Sequence, residues 1–323
     1  MAADLFKSVV SSSGLELVTG VLTKTSPPGP TFHSTLDSIL STAASSLTRG
    51  DLIELTSAAA VGKTQFLYFL CMTTILPFEL AVSLASTGDD APILLGGRGK
   101  SVVVCDCDNR WDMLRLADHL EHYIQKRISL TPDIDASDIP PETIPEAVQS
   151  ALRRLHLFRP TNTLSLAATL QSLPAYHRTK MKDEEISMLM IDSMTAFYWT
   201  DRWELERSKA SWESHPMRHV AKALTVLRRD YGIVVWMTTQ NLFPHRSDTS
   251  TSMQHRGYIP EPTHQITLTK MPTPPFPPSI KLAQARADVQ RKEAVKEGRV
   301  EGMVKSKGIT FDYGIEPHGL LVE

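Results

Sequence analysis

Runs of consecutive apolar residues, each closed by a polar turn and followed by a stretch of helical period, set the rhythm of this chain. Leu52, Ile53 and Leu55 form a short apolar run, and beyond a turn Phe66, Leu67, Leu70 and Cys71 recur at helical spacing. Residues 101–106 are a β-branched run. Residues 112–127 then place Met113, Leu116, Leu120, Tyr123 and Ile124 on one helical face, with Asp112 as a candidate N-cap. The alternation continues with a strand over 155–158, a helix over 164–173, a buried strand over 187–192, a helix over 219–229 with Val220, Leu224 and Leu227 inward, and a buried strand over 233–239. Strands that are apolar without alternation are covered on both faces, so the pattern predicts an α/β fold with a mostly parallel central sheet flanked by helices. Ligands of such sheets bind at the carboxyl ends of the strands.

The first of these strand–turn–helix units carries a recognisable chemistry. A full phosphate loop reads G-x-x-x-x-G-K-[ST]: glycines let backbone N–H groups turn toward the phosphates, Lys reaches the terminal ones and Ser or Thr holds Mg²⁺. Here Gly62, Lys63 and Thr64 are present, Ser57 stands in place of the first glycine, and Ala60 stands where many loops carry another. A Cβ at either position strains any backbone that needs positive φ. The bland alternative is a Gly-Lys-Thr tripeptide at an ordinary helix start. The order strand, loop, helix favours the loop, and Ser57, Ala60, Val61, Gly62, Lys63 and Thr64 are the candidate nucleotide-binding set.

Composition narrows the classes. At 323 residues and 41% hydrophobic content the chain buries a substantial core, and a net charge of −2 means that nucleic-acid contact must come from a local patch. Three cysteines, Cys71, Cys105 and Cys107, are too few for a disulfide framework or a zinc site and fit a reducing compartment. Cys105 and Cys107 read as small residues on one strand face. The N-terminus lacks the basic start and long apolar block of a secretory signal. Residues 66–85 approach membrane-span length, but Pro77 and Glu79 interrupt them, which predicts a buried core helix followed by a bend.

Polar residues gather at the predicted strand ends. Met188, Leu189, Met190, Ile191 and Asp192 form a strand like the Walker B element, whose terminal carboxylate orients Mg²⁺ or its water beside Thr64. Asp106 and Asp108 end another strand and Gln240 ends a third; either aspartate alternatively caps a turn.

The order of phosphate loop, acidic strand end, Ile191-Asp192-Ser193 and Thr238-Thr239-Gln240 resembles the RecA-type ATPase core of the eukaryotic recombinases and their paralogues. The segments Asp112-Met-Leu-Arg-Leu116 and residues 192–202 carry the likeness to the paralogues, which runs from about residue 35 to 240 with a weaker echo in 308–322. The resemblance implies a RecA-like P-loop ATPase core with ATP and Mg²⁺ as cofactors. Lys63 and Thr64 match the phosphate and Mg²⁺ contacts, and Asp192, with Thr64, the metal position. Gln240 matches the glutamine that senses the terminal phosphate. Asp108 falls where active recombinases place the catalytic glutamate; its side chain is one methylene shorter, which implies weak hydrolysis or none. The implied role is an ATP-binding paralogue in nuclear DNA double-strand-break repair by homologous recombination. It would be one subunit of a hetero-oligomeric paralogue complex that binds single-stranded or branched DNA. The rivals are a non-catalytic interaction subunit with a relic loop and, more remotely, a small-molecule P-loop kinase.

The flanks complete the expectation: an N-terminal arm over 1–32, with Pro-rich residues 27–30 as a hinge, and the core over 33–323. About fifty residues precede the loop, which leaves no room for the helical N-terminal DNA-binding domain of full recombinases. Phe6 either docks on a neighbouring subunit or belongs to an unstructured terminus. Tyr198, Arg202, Trp203 and Arg207, with Lys209, interleave aromatics and cations at the position of the family's first DNA loop; the aromatics either stack bases or pack inward. A flexible loop over about 241–263 lies at the second DNA-loop position. A Pro-rich and basic insertion covers about 271–307: residues 269–279 hold five prolines and read as irregular. Residues 281–307 carry eight cations against four acids and have helical character. Two short strands, 309–313 and 320–322, are expected at a sheet edge.

Overall fold

The apolar runs at 101–106, 186–192 and 234–240 become strands whose successive side chains enter two different cores. In chain order the elements are α1 (Ser34–Leu40), β1 (Leu52–Ser57), α2 (Lys63–Ile75), β2 (Glu79–Ser83), β3 (Asp90–Leu94), β4 (Ser101–Asp106), α3 (Met113–Ser129), α4 (Thr143–Leu152) and β5 (Leu155–Phe158). They continue with α5 (Thr163–Lys180), β6 (Ile186–Asp192), α6 (Tyr198–Ser208), α7 (Met217–Tyr231), β7 (Val234–Gln240), β8 (His264–Lys270), α8 (Leu282–Ala287), β9 (Val300–Val304), β10 (Ile309–Glu316) and β11 (Gly319–Leu321). The structure is a computed structural model that describes residues 13–15, 18, 29–31, 34–40, 47–84, 90–132, 134–182, 184–209, 215–242, 260–272, 276, 279–289, 298–316 and 318–321. Phe6 and residues 243–259, the bulk of the expected second DNA loop, lie outside the described residues.

The main sheet has nine strands in the order β11-β10-β9-β8-β1-β7-β6-β4-β5. From β8 to β5 all neighbours are parallel; from β8 outward to β11 they are antiparallel. One face buries Val102 and Val104, Met188 and Met190, and Val234 and Trp236 against α2, α3 and α4. The other buries Val103 and Cys105, Leu189 and Ile191, and Val235 and Met237 against α5 and α7. Burial on both faces is why these strands are continuously apolar. Helix α2 is enclosed, with every residue from Phe66 to Ile75 buried, and it ends at Leu76 before Pro77, as the interrupted apolar run predicts. Among the described residues no helix is long and apolar enough to cross a membrane. Asp112 caps α3, its carboxylate accepting from the N–H groups of Leu114 and Arg115.

Three expectations are corrected. Residues 269–279 are not wholly irregular: β8 runs to Lys270, held by β1 on one side and β9 on the other. Residues 300–304 form a strand rather than the end of a helix, and helical structure there, among the described residues, lies before residue 290. Gly302 is a close-approach position in β9, since a Cβ there would lie 2.3 Å from the Phe311 ring across the ladder. Helix α5 continues through Pro174 to Lys180; Tyr176 beyond the proline packs edge-on to Phe158 with ring centroids 5.2 Å apart, so tertiary contact outweighs the missing donor. Strands β2 and β3 pair antiparallel as a small separate sheet that the apolar pattern does not announce.

Candidate functional site at the strand ends

Strands β1, β6 and β7 are neighbours in the sheet, so Ser57, Asp192 and Gln240 arrive together at its carboxyl edge. Residues 58–62 connect β1 to α2. Gly62 is the N-cap of α2 at φ 111°, and the first helical bond runs from Phe66 N–H to Gly62 O. The N–H groups of Lys63, Thr64 and Gln65 therefore have no acceptor within the helix, the arrangement that favours an anion. Ala60 has φ 59°, so the strain read from its Cβ is present, at a cost of about 1–2 kcal/mol.

Asp192 organises the floor of the site. Its Oδ2 accepts from Thr64 Oγ1 at 2.7 Å and from Trp111 Nε1 at 3.3 Å, and its Oδ1 accepts from Thr238 Oγ1 at 2.6 Å. A carboxylate that is 3% exposed requires this many donors. The peptide bond from Asp192 to Ser193 is cis. Lys63 Nζ lies 2.7 Å from Ser57 Oγ and 3.1 Å from Ala58 O. Burial lowers the Lys63 pKa, partly offset by the charges of Asp192 and Asp108. Asp108 accepts from Ser193 Oγ at 3.1 Å; burial raises its pKa, the Ser193 hydrogen bond lowers it, and the nearby Asp192 charge raises it further. Gln240 ends β7 beside Ser57, its backbone N–H donating to Thr195 Oγ1 at 3.1 Å.

Ala60, Val61, Gly62, Lys63, Thr64, Asp108, Asp192 and Gln240 all line one cavity of about 410 Å³, within the roughly 300–1,000 Å³ of small-molecule and cofactor sites. Ser57 is buried beneath it and reaches it through Lys63. Sequence reasoning missed several further lining residues: Arg110, Arg115, Lys270 and Gln65, and the wall made by Gly298, Val300 and Ile315. Four cations against two carboxylates make the cavity suited to an anion. Both side-chain amide atoms of Gln65 are buried without a hydrogen-bond partner. The residue after a Gly-Lys-Thr helix start was the available signal for it. Asp106, by contrast, is a turn cap: it accepts from the N–H groups of Arg110 and Trp111 and from Arg159 Nε.

The aromatic and basic segment divides. Tyr198 is 8% exposed, so its expected part in stacking bases is corrected to packing: it starts α6, and its ring lies edge-on to Trp199 at 5.0 Å. Trp203 is 58% exposed with the Arg207 guanidinium 5.2 Å from its ring centroid, whereas Arg202 pairs with Glu206 one turn on at 2.8 Å. Cys71, Cys105 and Cys107 are buried free thiols, each with its pKa pushed up by burial, to about 12 for Cys105, and so are unreactive.

The fold is RecA-like, and the candidate site lies at the carboxyl edge of its parallel strands. The fold is similar to the crystal structure of the RadB recombinase, with a TM-score of 0.52 at 17% identity over 85% of this chain and 92% of that one. In sequence the chain is similar to the DNA repair protein XRCC2 of Mus musculus, 30% identical over 201 residues, covering 62% of this chain and 60% of that protein. It is likewise 30% identical over 173 residues to the DNA repair protein XRCC2 homolog of Arabidopsis thaliana, 48% of this chain and 43% of the relative. The chain thus spans less than two thirds of the length of either relative. No protein-family model matches. These likenesses bear out the resemblance to RecA-type recombinase paralogues, with XRCC2 as the sequence relative.

Proposed function

We propose that the chain is an ATP-binding RecA-family paralogue that acts in nuclear DNA double-strand-break repair by homologous recombination, as one subunit of a paralogue complex. The observation that carries this reading is the convergence of Lys63, Thr64 and Asp192 on one anion-suited cavity with Gln240 at its rim. The residues fit the nucleotide: the left-handed Gly62, the unpaired N–H groups behind it, the oxygen donors Thr64 and Asp192 for a hard cation, and the orphaned Gln65 amide. Bound Mg²⁺ would supply charge neutralisation for the phosphates, with Thr64 and Asp192 holding it. Gln240, on the strand that leads to residues 243–259, would couple the terminal phosphate to the DNA-facing loop. On this reading residues 1–32 are an arm and 33–323 the ATPase core.

Hydrolysis is expected to be weak. A general base must reach the water it activates, and Asp108 has a short side chain that is already hydrogen-bonded to Ser193. The second reading, an interaction subunit with a degenerate site, draws on the hold of Ser57 on Lys63 and on the strain at Ala60. Titration with a fluorescent ATP analogue separates the two: saturable binding that Lys63→Ala abolishes supports the first, and no binding in the wild-type complex supports the second. Rapid DNA-stimulated turnover by the chain alone would overturn weak hydrolysis, and stimulation by single-stranded DNA of any kind would exclude a small-molecule kinase. For DNA, Trp203 and Arg207 are the contacts the exposed face of α6 offers. Trp203→Ala should lose on the order of 1–3 kcal/mol of single-strand affinity without changing its salt dependence, while Arg207→Ala should flatten that dependence.

A further inference from the structure

Two histidines and an aspartate meet where α3 touches the turn between β10 and β11, away from the nucleotide cavity. Asp118 and His122 stand one helical turn apart on the same face of α3. His318 comes from the β10–β11 turn, 200 residues from Asp118 in the chain. The His122 and His318 rings are stacked, with centroids 3.7 Å apart and planes within 9°. Each turns Nδ1 toward the same carboxylate: His318 Nδ1 lies 3.0 Å from Asp118 Oδ2, and His122 Nδ1 lies 3.4 Å from Asp118 Oδ1 and 2.9 Å from the Asp118 backbone oxygen.

These separations can be compared with those around a metal. Zinc bonds of about 2.0–2.1 Å to imidazole nitrogen and carboxylate oxygen, opened to a tetrahedral angle, set ligand atoms about 3.3 Å apart. The nitrogen-to-oxygen distances here, 3.0 Å to Oδ2 and 3.4 Å to Oδ1 of the one carboxylate, are close to that value, and one atom from each residue falls within 4.8 Å of the other two. His119, next in the chain, points away from this cluster into the core, where it is buried edge-on to Tyr68.

We propose that Asp118, His122 and His318 form a binding site for a divalent transition cation, with zinc the best match, completed by water. Two imidazoles and a carboxylate suit zinc better than the hard ions magnesium and calcium. The stacked rings hold their lone pairs in nearly parallel planes, so binding requires the stack to open, each ring tilting about χ2 until its Nδ1 lone pair meets the ion, which replaces the protons now shared with Asp118. The site ties segments far apart in the chain, and its mechanical consequence reaches the nucleotide cavity. Ile315 precedes the β10–β11 turn and packs on Gly62, while Arg115 on α3 lines the cavity, so a metal at the junction would fix two walls of that cavity to each other.

The test uses the full chain without nucleotide, titrated with Zn²⁺ by calorimetry and with Co²⁺ by absorption. Wild type should bind one Zn²⁺ and melt at a higher temperature with it. Asp118→Asn, His122→Ala and His318→Ala should each weaken binding about tenfold or more, and the double histidine variant should lose both the binding and the gain in melting temperature. Because His318 is half exposed, His318→Gln serves as a second variant if the alanine form folds poorly. Co²⁺ should give visible ligand-field bands without the near-ultraviolet charge transfer of a thiolate. Equal Zn²⁺ affinity in wild type and the double variant would overturn the proposal, as would a thiolate band that places the ion on cysteine.

Discussion

The parallel half of the sheet and its antiparallel edge contribute to the cavity in different ways. From β1, β6 and β7 come the groups with chemistry: Lys63 and Thr64 behind β1, Asp192 at the end of β6 and Gln240 at the end of β7. From β8, β9 and β10 come mostly walls: Lys270, Val300 and Ile315. Parallel strands all point their carboxyl ends the same way, so residues far apart in sequence arrive at one edge; antiparallel hairpins fold beside that edge and close it. The site is therefore a chemical floor held by a buried carboxylate and a wall that packs on α2 through Ile315 at Gly62 and through Phe311 and Tyr313 at Phe66.

That division can be broken first at the floor. Asp192→Ala would strand the buried donors of Thr64, Thr238 and Trp111, and should destabilise the fold by on the order of 3 kcal/mol as well as abolish nucleotide binding. Urea denaturation checks this, and a stability equal to wild type would mean that Asp192 organises nothing. Next is the junction of floor and wall. Gly62→Ala places a Cβ 2.3 Å from Ile315 Cδ1 in a left-handed conformation and should cost about 2 kcal/mol. Adding Ile315→Ala should return the steric part alone. Full recovery in the double variant would show that backbone strain at Gly62 is negligible.

Ser57→Gly sharpens the comparison within the floor. Removing the hydroxyl that holds Lys63 Nζ restores the expected glycine and frees the ammonium for phosphate; analogue affinity should rise by about tenfold, or about 1.4 kcal/mol. Unchanged affinity would assign the defect to Ala60. The smallest effect concerns Asp108. Its folded pKa is raised, so its ionisation costs stability as pH climbs from the ordinary carboxylate range through the raised value, and the loss persists at neutral pH. Asp108→Asn should melt slightly higher than wild type at pH 7 and match it at pH 3. Melting curves at the two values decide it, and a variant that is less stable at pH 7 would show that the Ser193 hydrogen bond outweighs burial.

Units whose signals are local could be read from the order of residues alone. The strand, loop and helix around Gly62, the Asp112 cap and the doubly buried strands ending in Asp106, Asp192 and Gln240 were legible because propensity, capping and burial on both faces leave their marks within a few residues. Tertiary structure decided what depends on pairing across long separations. Strand β9 was obscured because Gly302 and its charged neighbours lack a strand pattern until Phe311 lies over the glycine. Tyr198 and Trp203 look alike in sequence, yet one is buried and the other exposed, because the packing of α6, and not residue type, chose the face. Ser57 was visible as a missing glycine, but its hold on Lys63 appears only when loop and helix close on each other. The wall from Gly298 and Ile315 against Gly62 and the meeting of His318 with Asp118 join residues 200 or more positions apart, a juxtaposition that no local pattern encodes and that only the antiparallel edge of the sheet brings about.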